Sequence, residues 1–233
     1  MNAERPSGAA LLELRGVSRA YGERQALRPL DLAMRGGECV ALVGVNGSGK
    51  STLLRIASGR ERPSRGKVFF DGQPLREEDP RVRARVAVVG DTVACYPDLT
   101  AREHLVLVAL GQGVGDEAEA WADVVLADRG LSGHAHSYPS ALSSGQLQAL
   151  LLASAFVRPR ELLILDEPEQ RLDPGARDRL AEQLCEEKEG GVAVLLATHH
   201  ADLAARVADR VIALEEGRVL AEGEPGSVLE AVR

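Results

Sequence analysis

Eight consecutive residues, Gly44-Val45-Asn46-Gly47-Ser48-Gly49-Lys50-Ser51, carry the sharpest chemical signal in this 233-residue chain. Gly44, Gly49, Lys50 and Ser51 fill the spacing G-x-x-x-x-G-K-[ST]. Glycines permit the backbone angles that turn several N–H groups inward onto phosphate oxygens. A helix opening at the lysine adds the partial positive charge of its N-terminus. In that setting the Lys50 ammonium reaches the β- and γ-phosphates of a nucleoside triphosphate, and the Ser51 hydroxyl ligates Mg²⁺. Asn46, Gly47, Ser48 and Thr52 complete the expected phosphate-binding set. Only three of the 28 basic residues are lysines, Lys50, Lys67 and Lys188, and one of them stands where the pattern needs it.

A second constellation is Leu162-Leu163-Ile164-Leu165-Asp166-Glu167. A buried strand ending in a carboxylate places Asp166 beside the phosphates, where it can hold Mg²⁺ directly or through water. Glu167 is then placed to polarise an attacking water as general base. Taken alone, a strand followed by Asp-Glu says little, because charged residues often end strands at the surface. Coupled to the glycine loop, it reads as nucleotide hydrolysis.

A third element, Leu142-Ser143-Ser144-Gly145-Gln146, opens an apolar helix 24 residues before Asp166. By itself it is an ordinary helix start with serine as N-cap. In this order and spacing it resembles the LSGGQ signature of ATP-binding cassette (ABC) proteins, with Ser144 in place of the first glycine. The resemblance covers nearly the whole chain. It implies that Tyr21 stacks on adenine, that Asp173 is the aspartate of the D-loop, and that His199 is a switch histidine contacting the γ-phosphate. It also implies a head-to-tail dimer, in which Ser143, Gly145 and Gln146 of one subunit face the ATP held by Lys50 of the other. The partner is a second copy or a similar ABC subunit, and membrane-spanning permease subunits complete the assembly.

Four departures accompany the resemblance. Asp91 stands where the family has a glutamine, counting back from Tyr96-Pro97-Asp98-Leu99-Thr100, and it is expected to join the Mg²⁺ site. The D-loop carries Glu169 and Gln170 instead of small residues, and Ala149 and Ser154 replace arginines common after the signature. His200 occupies a position the family often gives to aspartate.

These residues need elements to position them. Leu11 to Val17 and Leu27 to Met34 read as strands flanking Tyr21-Gly22, and Cys39 to Val43 as a buried strand feeding the glycine loop. A helix is expected from about Lys50 to Ala57, then strands at Val68 to Phe70 and Val86 to Val89. From about Thr92 to Val157 helical patterns dominate, at Ala101 to Leu110, Asp116 to Ala127 and Ser144 to Val157. Strand and helix then alternate at Leu162 to Leu165, Pro174 to Glu189, Val192 to Ala197, Ala201 to Ala208 and Val211 to Leu214, with a short helical stretch from about Gly226 to Val232. Such alternation argues for an α/β fold of the P-loop NTPase class, a mainly parallel sheet with crossover helices and N-terminal antiparallel strands. Residues 92–157 read as an inserted helical signature lobe, and 1–91 with 158–233 as the nucleotide-binding core of a single ABC ATPase domain.

Composition sets limits on the alternatives. A net charge of −7 disfavours a broad nucleic-acid surface. Cys39, Cys95 and Cys185 form no ligand cluster and read as reduced thiols of a cytosolic protein. The N-terminus lacks the layout of a signal peptide, and no apolar run approaches the ~18 residues of a membrane span. Any membrane role would be peripheral, on the inner face and through a partner. The leading expectation is a Mg²⁺-dependent ATPase subunit that powers an ABC transporter by ATP-driven dimerisation. The competing expectation is an ABC-type ATPase of a cytosolic assembly without transport; a kinase or GTPase is disfavoured by the signature and switch elements together.

Overall fold

A computed structural model describes residues 9–90 and 95–232. The chain opens with β1 (Leu12–Tyr21) and β2 (Arg24–Met34), followed by β3 (Cys39–Val43), α1 (Lys50–Ala57), β4 (Arg65–Phe70), β5 (Gln73–Pro74), α2 (Pro80–Arg85) and β6 (Val86–Val89). Helices α3 (Ala101–Gly111), α4 (Ala118–Asp128) and α5 (Ser144–Phe156) come next, with no strand between them. The remainder alternates: β7 (Leu162–Asp166), α6 (Pro174–Glu189), β8 (Ala193–Ala197), α7 (Ala201–Val207), β9 (Arg210–Glu215), β10 (Arg218–Gly223) and α8 (Pro225–Ala231).

Two sheets result. One is antiparallel, in the order β2-β1-β4-β5; the other runs β10-β9-β3-β8-β7-β6 and is parallel except for its edge strand β10. Every residue of β3 and β8 is buried, as are the first four of β7, which fits strands covered on both faces. One face of the parallel sheet packs against the antiparallel sheet and α1, through Leu42, Leu53, Ile56, Ile164 and Leu195. The other face meets the helices between β6 and β7 in one apolar cluster that includes Leu105, Leu126, Leu150, Phe156 and Leu163. All three cysteines are free thiols, and burial in β3 pushes the Cys39 thiol up to about 12.

Three short elements carry too little pattern to be read from sequence. Helix α2 buries only Val82 and is started by Asp79, whose side chain accepts the Arg81 N–H at 2.9 Å, with Pro80 in its first turn. Strand β10 is an exposed edge, and β5 is two residues long. The helix expected from Asp116 starts at Ala118, after a 3-10 turn at Gly115–Glu117.

The end of α5 is tied to α6 by a half-polar clamp. Arg160 donates to the carbonyls of Phe156 at 3.0 Å and Arg158 at 2.7 Å, pairs with Glu187, and lays its guanidinium 4.8 Å from the Phe156 ring centre. Both partners of the ion pair are nearly buried, so truncating one strands the other. Arg160→Ala is expected to lower unfolding free energy by about 3 kcal/mol in urea denaturation. A change within a few tenths of a kcal/mol would show that the clamp contributes nothing.

Candidate active site

Strand β3 delivers the chain to Gly44, whose φ of 148° and tight surroundings exclude any side chain. A Cβ there would sit 2.2 Å from the Leu214 carbonyl oxygen of β9, and one on Gly49 would sit 2.9 Å from the Ala26 oxygen of β2. The loop between these glycines is pinned further by the Gly217 N–H, which donates to the Ser48 oxygen at 2.9 Å. Gly49, at φ 111°, is the N-cap of α1, and no side chain caps that helix. The side chains of Asp79, Thr100, Ser143 and Asp173 cap α2, α3, α5 and α6. Helices α4, α7 and α8 also lack a side-chain cap, so what sets the first N–H groups of α1 apart is the glycine loop and Lys50 beside them, a place suited to an anion.

That place is a cavity of about 400 Å³ lined by Tyr21, Arg24, Ala26, Asn46, Gly47, Gly49, Lys50, Ser51, Thr52, Arg55 and Glu167. Lys50 is buried and donates to the carbonyls of Gly44 at 2.7 Å and Val45 at 3.3 Å, which holds its ammonium against the loop. Ser48 in this loop is buried, and its hydroxyl has no hydrogen-bond partner among the described residues. Tyr21 stands at the mouth, half-exposed, with the Arg19 guanidinium 4.6 Å from its ring centre and its hydroxyl bonded to Glu61. One ring face is thus covered by arginine. Arg24 and Arg55 also line the cavity, and sequence reading did not single them out. Arg55 points at Glu61 and Thr52, at 3.0 and 3.3 Å.

Glu167 enters from β7. Its φ of 47° is rare for a residue with a side chain and stores strain of about 1–3 kcal/mol. Its N–H bonds to the Ala197 oxygen of β8 at 2.9 Å, its carboxylate accepts from Gln170, and His199 Nδ1 lies 3.4 Å away. Asp166, one residue earlier, ends the strand in register with Ala197. His199 also lines a separate cavity on the other flank of the loop, with Gly44 and Val45.

The signature residues are not among the cavity's lining. Ser143 caps α5 in a reciprocal box with Gln146: the Ser143 side chain accepts the Gln146 N–H at 3.2 Å, and Gln146 Oε1 accepts the Ser143 N–H at 2.9 Å. A Cβ on Gly145 would meet the Arg171 oxygen at 2.8 Å, so this glycine lets α5 approach the segment 167–173. Gln148 reinforces that contact by donating to the Pro168 oxygen at 3.1 Å. Asp173 serves as N-cap of α6, accepting from Ala176 at 2.8 Å. Asp91, expected as a metal ligand, lies outside the described residues.

A parallel sheet whose central strand runs into a glycine loop and an uncapped helix defines a P-loop nucleotide-binding protein. The family model described as ABC transporter matches residues 27–170. The glutamine transport ATP-binding protein GlnQ of Escherichia coli (strain K12) is 35% identical over 222 residues, covering 92% of each chain. The lipoprotein-releasing system ATP-binding protein LolD of Ruegeria pomeroyi is 39% identical over 223 residues, covering 91% of this chain and 97% of that one. A solved ATP-binding subunit of an ABC transporter superimposes with a TM-score of 0.86 at 33% identity, covering 95% and 92% of the two chains. A dimeric ATP-binding cassette in a post-hydrolysis state, bound to ADP and Pi, gives 0.83 at 27% identity over 92% of this chain and 98% of that one. The chain belongs to the ABC transporter family.

The glycines separate two kinds of constraint. Gly44→Ala should abolish nucleotide binding, because its methyl would displace the β9 carbonyl. Gly47, at φ 81°, has only an arginine tip 3.9 Å from its Cβ position. Gly47→Ala should then weaken binding by about tenfold, the cost of a left-handed alanine. Titration with a fluorescent ATP analogue checks both; equal effects would show that the Leu214 contact is not limiting.

Proposed function

We propose that this chain is the ATP-binding and ATP-hydrolysing subunit of an ABC transporter. The observation that supports it most directly is the single cavity shared by the uncapped start of α1, Lys50, Ser51 and Glu167. Lys50 and the N–H groups of residues 46–52 bind the phosphates, and Tyr21 offers its half-exposed ring to the adenine. Ser51 and Asp166 are hard oxygen donors of the kind Mg²⁺ takes, and they fit that ion, with Asp91 as a further ligand. Bound Mg²⁺ supplies charge neutralisation at the phosphate oxygens. Glu167, held by its strained backbone and by Gln170, accepts a proton from the attacking water, and His199 contacts the γ-phosphate.

The reading extends to the assembly. Residues 92–157 serve as a signature lobe on a core formed by 1–91 and 158–233. Ser143, Gly145 and Gln146 of one subunit close over the ATP of the other, with Asp173 at the shared seam. The partner is a second copy or a similar ABC subunit. A ligand gripped by two subunits favours the closed dimer, and hydrolysis releases it. Among the described residues, no helix is long and apolar enough to cross a membrane. The proposed subunit works from the cytoplasmic face, held there by membrane-spanning permease subunits. Subunits of a glutamine transporter and of Nod factor exporters match at 35% and 34% identity, so what this chain shares with them is the motor and not the cargo.

Two experiments test the reading. Glu167→Gln should retain ATP binding and slow hydrolysis by ~10²-fold or more, the scale for losing a positioned general base. Near-normal turnover would remove Glu167 from the mechanism. Ser143→Arg and Lys50→Ala should each be inactive alone, yet their mixture should regain partial activity. A heterodimer of the two carries both lesions in one site and none in the other. Heterodimers that form without any recovery would contradict the composite site.

A further inference from the structure

Two of the departures noted in the sequence, Glu169 and His200, meet in space beside His199. Donor atoms of Glu169, His199 and His200 all lie within 4.8 Å of one another. Glu169 is 2% exposed. Its Oε1 accepts a bond from the Thr198 hydroxyl, while its Oε2 is buried with no partner among the described residues. A buried carboxylate left half-satisfied calls for a cation. Among the described residues no lysine or arginine nitrogen comes within 4.0 Å of it, and the nearest candidate, His199 Nδ1, lies 4.0 Å from Oε1. Neither the His199 ring nor the His200 ring makes a hydrogen bond among the described residues, and the two rings lie 4.3 Å apart, centre to centre.

We propose that Glu169, His199 and His200 form a binding site for a zinc-class dication, and that an ion held there withdraws His199 from the nucleotide. Two imidazoles and one carboxylate are ligands that zinc accepts, with a water or a further carboxylate in the fourth position. The same set disfavours Mg²⁺ and Ca²⁺, which take oxygen. Glu167 is at hand for the fourth place, its Oε2 3.4 Å from His199 Nδ1. Tetrahedral bonds of about 2.0–2.1 Å put donors about 3.3 Å apart, so the set must contract by up to roughly 1.5 Å. Glu169 is fixed by burial and by Thr198. His199 is half-exposed and His200 partly so, which leaves both rings free to swing inward. The His200 N–H donates to the Thr198 hydroxyl at 3.0 Å, so one threonine steadies both the carboxylate and the backbone that carries the rings.

The site is made from the turn after β7 and the turn after β8, the two segments that supply Glu167 and His199 to the proposed hydrolytic centre. An occupying ion would take a His199 nitrogen and hold Glu167 close by. ATP hydrolysis would then stop while the phosphate loop stayed intact. This regulatory half rests on the role proposed above for His199; the ligand set does not.

Nucleotide-free protein titrated with Zn²⁺ by calorimetry, and with Co²⁺ by visible absorption, tests the ligand set. One equivalent per chain is expected, with the d–d bands of tetrahedral Co²⁺. Glu169→Gln and His200→Ala should each weaken binding by tenfold or more while keeping the parent's circular dichroism spectrum. Failure of zinc to saturate the parent, or an equivalent bound unchanged by both substitutions, overturns the site. The second arm measures ATPase rate in excess Mg²⁺-ATP at buffered free zinc. Zinc should inhibit the parent, and His200→Ala should shift the inhibition to at least tenfold higher zinc. Stoichiometric binding without inhibition would leave the ligand set standing and overturn the regulatory half together with the switch role of His199.

Discussion

The architecture of the site depends on the close approach of three backbones around the glycine loop. Gly44 presses on the Leu214 carbonyl, Gly49 on the Ala26 carbonyl, and the Gly217 N–H closes onto Ser48. The loop is wedged between the antiparallel sheet, through β2, and the β9–β10 turn of the parallel sheet. Only residues without a Cβ fit where the wedge is tightest. The wedge aims α1 so that its uncapped N–H groups and Lys50 share one cavity.

Around that fixed point, the other functional segments are held by bonds internal to the subunit. Ser143 caps its own helix, Asp173 caps the next one, and Gln148 ties α5 to the Pro168 carbonyl. These bonds give a lone subunit ordered, preformed surfaces, which lowers the ordering cost of dimer closure. The segment from Glu167 to Arg171 is where order is strained: both residues are left-handed without being glycine. Strain there is sustained by the β8 backbone, by Thr198 on Glu169 and by Gln170 on Glu167.

Much of this architecture is legible in the amino-acid sequence. Cys39 to Val43 and Leu162 to Leu165 are unbroken apolar runs, and strands buried on both faces leave little else they could be. The loop glycines and Lys50 are spaced by the geometry of a phosphate. What the sequence hides is of two kinds. Helix α2, β5 and β10 are short or exposed and bury too few apolar groups to impose a period. Arg24 and Arg55 stay hidden, and Glu169 shows only as a departure, because their meaning is tertiary. Arg55 is an ordinary helical arginine until α1 is set against the cavity. Glu169 is no more than a charge in place of a small residue until the turn after β7 folds it under Thr198.

The central claim is that catalysis needs two subunits, because each supplies half of every site. Specific ATPase activity measured against protein concentration tests this directly, with the mass of the species followed by light scattering. The account predicts that activity per chain falls on dilution and tracks the dimer fraction. Activity per chain that stays constant down to concentrations where only monomer scatters would contradict it.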